Sequence, residues 1–309
     1  MPPKVLILNH SNDRCGVYQF GKRVYELVEN SNKVSYIYRE IENFNTYINL
    51  VGQIKPDYIV YNWHPLTMGW LSENIIVKDK IHKHCFIWHD DNMRQNYDKY
   101  LMFGTDDKDH CRVQKGRGTV LPRPLLVYNG EYPKNKVLTI GSFGFGYLGK
   151  GAQDLVRTVS SSKDIDKAVL NLHLPVSYYG DAQGIQANEV ISLCRKYNDD
   201  SRIQLNISQE FKTNDGVLEF LAQNDINIFL YKVDCDGLSS TIDYALSVKR
   251  PIAISKSNMF RHIQEDSILI DKNSITEIVK RGIEPLKKYY TKWSVENFRE
   301  EFDMVFKNE

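Results

Sequence analysis

Short runs of aliphatic and β-branched residues alternate with segments of helical period along nearly the whole chain, the pattern that a parallel sheet with crossover helices requires. The fold class is therefore α/β. In the first half the pattern predicts strands near Lys4 to Asn9, Lys33 to Tyr38, Asp57 to Asn62, His84 to Trp88 and Thr119 to Leu121, with helices near Val17 to Glu29 and Asn43 to Ile54. In the second half it predicts strands near Val137 to Ser142, Ala168 to Leu172, Arg202 to Asn206, Ile226 to Tyr231, Pro251 to Ile254 and Ile268 to Ile270. Helices are expected near Gly151 to Ser160, Ile185 to Tyr197, Asp215 to Gln223, Ser239 to Ser247, Ser274 to Tyr289 and Val295 to Lys307.

Between the two series, Leu121-Pro-Arg-Pro-Leu runs into Tyr128-Asn-Gly-Glu-Tyr-Pro, and this crowding of proline and glycine punctuates the chain as a linker does. The expected organisation is a Rossmann-like domain over 1–127, a linker over 128–136, a second Rossmann-like domain over 137–290 and a terminal helix over 291–309. At 309 residues and 42% hydrophobic content the chain can build two such cores. Ligands of these sheets bind beyond the carboxyl ends of the strands, so the chemistry is sought in the loops that follow them.

Lys plus Arg number 40 against 39 Asp plus Glu, which leaves no global electrostatic case for nucleic acid, an anionic membrane or an acidic partner. The apolar runs are of strand length, far short of the ~20 residues of a membrane span. Met1-Pro-Pro-Lys leads straight into VLILN without the features of a signal peptide. A soluble, cytoplasmic protein is expected, with a peripheral membrane contact left open. The five cysteines, Cys15, Cys85, Cys111, Cys194 and Cys235, are scattered without CxxC spacing, which argues for reduced thiols and against a Cys-rich zinc site.

Three loops carry chemistry. Asn9 to Tyr18 reads as a strand, a polar turn and a helix opening at Gly16 and Val17, where free backbone N–H groups make a seat for a phosphate; a simple βα-turn glycine is the alternative. Gly141-Ser-Phe-Gly-Phe-Gly-Tyr-Leu-Gly-Lys150-Gly151 is a glycine-rich loop with a lysine at the helix start, suited to a diphosphate or else an ordinary solvated loop. It is neither a Walker A loop nor a GxGxxG fingerprint. After the strand Ile226 to Tyr231 come Asp234, Asp236, Gly237, Leu238, Ser239 and Ser240, then a helix carrying Asp243 and Tyr244. Such a segment offers acceptors to sugar hydroxyls and N–H donors to a phosphate, or else it is Ser-capped helix packing.

Taken together these segments resemble the GT-B glycosyltransferases, specifically the retaining family 4, or group 1, and the resemblance spans nearly the whole chain. Its marks are Cys15-Gly16-Val17 in the first loop, Gly141…Lys150-Gly151 opening the second domain, and Asp236-Gly237 with Ala245 and Pro251 where the family has Glu-Gly, a closing Ala and a strand proline. The resemblance implies two Rossmann-like domains facing across a cleft, with the terminal helix crossing back to the first. It also implies transfer of a sugar from a nucleoside diphosphate sugar, UDP- or GDP-linked, to an acceptor hydroxyl, with retention and without a metal or other cofactor.

By the same resemblance Asp236 contacts the donor sugar, and Gly16, Val17, Ser142, Lys150, Gly237, Leu238, Ser239, Ser240, Asp243 and Tyr244 line the donor. His89, at the end of Phe86-Ile-Trp-His, takes the place of the family's strand-end histidine. Apart from the resemblance, Trp63 and His64 end the preceding strand and, with Asp90, are read on the acceptor side, the aromatic faces being suited to sugar stacking, with packing between the domains as the alternative. Two positions depart from the family. Tyr244 stands where the ribose-binding acid is expected, with Asp243 one residue early. Ser142 and Phe143 replace an arginine, leaving Lys150 as the diphosphate cation with Arg261 as a neighbouring substitute. Base contacts are expected near Ile207 to Phe211. Phe298 and Phe302 are expected to pack the terminal helix across both domains.

Some features are read as decoys. Asp107-Lys-Asp109 has the DxD form of a metal-diphosphate site, His82, His84, Cys85 and His89 are rich in ligand atoms, and Arg112 to Arg117 is basic. In a strand His84 and Cys85 face opposite sides, so a zinc site is not expected. Two alternatives to transfer are a nucleotide-sugar epimerase of similar architecture and a binding protein that keeps the fold without turnover.

Overall fold

A computed structural model describes residues 1–89, 97–104, 117–233, 235 and 237–307. The chain divides into two compact units, residues 1–124 with 292–309, and residues 125–291.

The first unit holds a six-stranded sheet of β1 (Lys4–Asn9), β2 (Ser35–Glu40), β3 (Tyr58–Tyr61), β4 (Lys83–Ile87), β5 (Lys99–Phe103) and β6 (Gly118–Leu121), in the order β2-β1-β3-β4-β5-β6. Every pairing is parallel. Helix α1 (Gly16–Val28) buries Phe20, Val24, Leu27 and Val28, a stripe of helical period that covers the sheet face carrying Val5 and Ile7. Helix α2 (Phe44–Ile54) starts where the Asn43 side chain accepts from the Thr46 N–H and stops at Lys55, whose φ of 50° is left-handed. Two short helices, α3 (Pro65–Met68) and α4 (Glu73–Lys78), precede β4.

The second unit holds β7 (Leu138–Phe143), β8 (Ala168–His173), β9 (Ile203–Ser208), β10 (Ile226–Phe229) and β11 (Ile252–Ile254), again all parallel, in the order β11-β10-β7-β8-β9. Its helices are α5 (Ala152–Ser161), α6 (Ile185–Tyr197), α7 (Asn214–Ala222), α8 (Thr241–Ser247), α9 (Ile275–Arg281) and α10 (Lys287–Lys292). Val156, Val159, Leu170, Val190, Ile226 and Ile228 form the centre of its core.

The last helix, α11 (Val295–Val305), belongs to the first unit. Phe298, Phe302 and Phe306 repeat at helical spacing and enter that unit's core, with the Phe103 ring stacked 6.0 Å from Phe298. Asp303 accepts from the Tyr36 hydroxyl at 2.8 Å and the Ser31 hydroxyl at 2.8 Å, and the Lys99 ammonium donates to the Val305 carbonyl at 2.6 Å. Phe298 and Phe302 therefore act in the core of one unit.

Three secondary-structure expectations need correction. Lys99 to Phe103, where no strand is expected, is β5, lying between β4 and β6. Ile268 to Ile270 is not a strand: a 3-10 turn covers 266–268 and one bridge joins Leu269 to Ile254. The helix expected from Ser274 to Tyr289 breaks, because Gly282 ends α9 at φ 68° and Pro285, in the first turn of a separate 3-10 segment over Glu284–Leu286, has no amide hydrogen to continue the ladder. Among the described residues no helix is long and apolar enough to cross a membrane.

Candidate functional site

Each sheet has a point where its strand order reverses, between β1 and β3 in the first unit and between β7 and β10 in the second. Such a point opens a crevice at the carboxyl ends of the strands, because the two following connections leave in opposite directions. The candidate residues gather at these two places.

In the second unit, β7 ends at Ser142 and Phe143 and the glycine-rich loop follows. Its glycines have individual reasons. At Gly141 a Cβ would lie 2.0 Å from the Asn224 amide, part of a buried asparagine cluster, and at Gly146 it would lie 2.7 Å from the backbone of Ala187 in α6. Gly151 has φ 72°, and a Cβ there would meet the Leu230 carbonyl at 1.9 Å. Gly144 differs, since a Cβ would meet only Thr241 and the Tyr231 hydroxyl, each at 3.6 Å, and its own φ is 154°. These constraints fold the loop against β10 and bring Lys150 over the ring of Tyr231, 4.0 Å from its centre.

Tyr231 anchors a cluster of hydroxyls. Its OH accepts from the Ser239 hydroxyl at 3.1 Å and pairs with the Thr241 hydroxyl at 3.1 Å, while Ser239 and Thr241 pair with each other at 2.8 Å. Ser239 is thus occupied away from the cap of α8, and Ser240, at the cap position, makes no side-chain cap bond. The Ser-capped reading of this helix does not hold. Gly237, Leu238 and Ser240 are part-buried beside the cluster, and Asp243 is fully buried within α8. Tyr244 donates to the Asn214 side chain at 2.7 Å and meets the Phe143 ring edge-on at 5.6 Å, which ties α8 to the start of α7. Arg261 donates to the Asn258 carbonyl at 3.0 Å.

In the first unit, α1 opens at Gly16 with Cys15 at the cap position and no side-chain cap bond; burial pushes the Cys15 thiol up, and the Val17 and Tyr18 backbone N–H groups beside it oppose that shift. Beside it stand Asn9 at the end of β1 and His10 after it, Asn62, Trp63 and His64 after β3, and His89 after β4. Asn62 donates to the Asn9 side chain at 2.8 Å and to the Val17 carbonyl at 2.7 Å, and His89 Nε2 lies 2.6 Å from Asn62 Oδ1. The His89 ring meets Phe20 edge-on at 5.3 Å, and the Arg123 guanidinium lies over that phenyl ring.

Burial pushes the His89 imidazole down to about 3, helped by His64, Arg123 and His10, and pushes His10 down to about 4, helped by His64. Both rings are neutral at pH 7. His64 caps α3, its Nδ1 accepting from the Leu66 N–H at 3.2 Å, and Trp63 is buried, donating its indole N–H to the Met68 carbonyl at 2.9 Å.

Asp236, Asp234, Asp90, Cys111 and the Asp107-Lys-Asp109 and Arg112 to Lys115 segments lie outside the described residues. Among the described residues, no group of three or more His, Cys, Asp or Glu side chains is placed to hold a metal ion. His84 is paired with the Tyr61 hydroxyl at 2.9 Å, on the opposite face from Cys85. Four residues of these clusters escape sequence reasoning: His10, Asn62, Tyr231 and His173. The last ends β8 fully buried, stacked on Phe143 at 5.8 Å and bonded to the Ser208 hydroxyl at 2.8 Å. The signal common to all four is a polar or aromatic residue at the carboxyl end of a buried strand.

Compared by sequence, the chain matches no protein-family model and no curated protein. Its fold does match solved structures. HepE of Anabaena, solved in complex with UDP-glucose, aligns over 98% of this chain and 99% of its own at 11% identity and a TM-score of 0.65. The trehalose-6-phosphate synthase OtsA aligns over 99% of both chains at 10% identity and a TM-score of 0.64. The lipopolysaccharide outer core galactosyltransferase WaaB aligns over 98% and 99% at 10% identity and a TM-score of 0.61. The chain therefore has the GT-B fold, the two-sheet α/β architecture of these glycosyltransferases.

Proposed function

We propose that the protein is a glycosyltransferase of family 4 type that moves a sugar from a nucleoside diphosphate sugar to an acceptor hydroxyl, with retention and without a metal. The observation that carries this reading is the cluster at the β7/β10 reversal, where Lys150, the Gly144 gap and the Tyr231, Ser239 and Thr241 hydroxyls converge. A cation beside a set of small hydroxyl donors suits a diphosphate that must leave with a negative charge. The neighbours solved with UDP and UDP-glucose support the donor class, and UDP is favoured over GDP on that ground.

In this reading the bond between the anomeric carbon and the diphosphate oxygen breaks and the acceptor oxygen bonds the same carbon. The electron pair leaves with the diphosphate, and the acceptor proton passes to a departing phosphate oxygen, so no side-chain base is needed. Donor contacts are assigned to Ser142, Lys150, Gly237, Leu238, Ser239, Ser240, Asp243 and Tyr244, with Asp236 on the sugar. His89, Gly16 and Val17 are assigned to the sugar and phosphate from the first unit, and Trp63, His64 and Asp90 to the acceptor side. No resident cofactor is assigned, and a cytoplasmic location is proposed.

The test is calorimetry and thermal shift with UDP, GDP, ADP, dTDP and CMP and their sugar conjugates, with and without Mg²⁺, on wild type and Lys150→Ala. Metal-independent stabilisation by one nucleotide, lost in the variant, is expected. NMR of the products then separates transfer from epimerisation: a free epimerised sugar nucleotide would overturn the transferase reading, and binding without turnover on a broad acceptor panel would leave a binding protein.

A further inference from the structure

Gly21 lies in the middle of α1, where a glycine costs about 1 kcal/mol relative to alanine and no turn or positive φ calls for it. The reason lies beside it. A Cβ on Gly21 would meet the Asn62 amide at 2.3 Å, so the side chain of Asn62 occupies the space that Gly21 leaves open.

Asn62 is held there in one orientation. Its Nδ2 reaches the Val17 carbonyl at 2.7 Å, and a carbonyl can only accept, so the NH₂ end must face that way. The same NH₂ donates to Asn9 Oδ1 at 2.8 Å. Asn9 is fixed in turn, donating to the Tyr18 carbonyl at 2.9 Å and to the Tyr38 hydroxyl at 3.0 Å. Both asparagines and Gly21 are buried. What remains of Asn62 is Oδ1, which accepts only, and His89 Nε2 stands 2.6 Å from it. Nε2 must then carry the ring proton, and Nδ1 must carry the lone pair. Among the described residues, His89 Nδ1 has no hydrogen-bond partner.

We infer that Asn62, seated over Gly21, is a positioning residue that holds His89 as its Nε2–H tautomer, so that Nδ1 presents a lone pair to a hydroxyl of the bound sugar or acceptor. The identity of that ligand rests on the glycosyltransferase reading; the tautomer does not. The asparagine pair also ties the first turn of α1, where Gly16 and Val17 lie, to the ends of β1 and β3.

The experiment is long-range ¹H–¹⁵N correlation on the ligand-free protein at pH 7, for wild type, Asn62→Leu and Gly21→Ala, with thermal melts to confirm folding. Wild-type His89 is expected with a protonated Nε2 and a bare Nδ1, and both variants are expected to lose that preference, Gly21→Ala doing so with Asn62 still present. A wild-type His89 protonated on Nδ1 overturns the inference even if neither variant folds, and so does a folded Asn62→Leu protein with an unchanged tautomer. In turnover, Asn62→Leu is expected to lower kcat about tenfold with little change in donor KM, the scale of one hydrogen bond. His89→Ala should mask that loss in the double variant, and additive losses would overturn the positioning role. A wild type that transfers no sugar would overturn the functional reading, while the spectrum still decides the tautomer.

Discussion

The Lys150 ammonium lies 4.0 Å from the centre of the Tyr231 ring, and the Tyr231 hydroxyl is bonded to both Ser239 and Thr241. Among the described residues Lys150 has no carboxylate partner, so its charge is available to a ligand anion. Lys150→Ala is expected to weaken nucleoside diphosphate binding by roughly 1.5–3 kcal/mol, the range of a charge-assisted hydrogen bond. Calorimetry with UDP measures it, and an unchanged affinity would remove Lys150 from the diphosphate site.

Tyr231→Phe removes one hydroxyl from the cluster while keeping the ring beneath Lys150. Ser239 and Thr241 still bond each other at 2.8 Å, so the loss to folding should stay near 1 kcal/mol. Donor affinity should fall as well, because the cluster loses a group that opens toward Gly144. Chemical denaturation alongside a binding titration separates the two effects; a stability loss with no change in affinity would place Tyr231 outside the donor site.

Gly151→Ala tests the loop itself. Its φ of 72° suits glycine, and a methyl group would meet the Leu230 carbonyl at 1.9 Å. The left-handed conformation alone should cost at least ~1–2 kcal/mol, before the displaced contact is counted. A melting curve equal to wild type would mean that the loop can take another path off β10.

His10, His89 and His173 sit below the ordinary imidazole value of 6.5, at about 4, about 3 and about 4 respectively, in each case chiefly through burial. In the unfolded chain they take up protons as pH falls through about 6.5, whereas the folded protein leaves them neutral until well below pH 5. More protons bound by the unfolded chain means stability that is complete above pH 6.5 and drains away as pH falls toward 4. Melting temperature should drop across that window, less steeply in His89→Gln. A flat profile between pH 6.5 and 5 would show that these rings become charged in the folded state.

Much of the architecture is written in the alternation of apolar runs, because parallel strands are buried on both faces and so keep a continuous signature. The segment Lys99 to Phe103 is hidden for a different reason: it has no β-branched residue, and its place between β4 and β6 is what marks it as a strand. The break at Gly282 and Pro285 was open to a local reading, since both residues act through their own backbone. In the candidate site, Lys150 and Ser239 were open to sequence reading because each belongs to a loop with a recognisable pattern. Asn62 and Tyr231 could not. Each lies just beyond an ordinary buried strand, and what distinguishes them is a neighbour distant in sequence, His89 for one and Lys150 for the other.

The C-terminal segment carrying the aromatic helix α11 completes the core of a unit whose other residues are all encoded before residue 125. During synthesis the second unit, an unbroken stretch of chain, has all its residues before α11 has been made. The first unit must wait with Phe103, Tyr36 and Tyr58 lacking their partners Phe298, Phe302 and Phe306. The half of the molecule that begins first on the ribosome is thus the half that finishes last. A nascent chain stalled short of residue 295 should be sensitive to protease in its first 124 residues and resistant in the segment that follows.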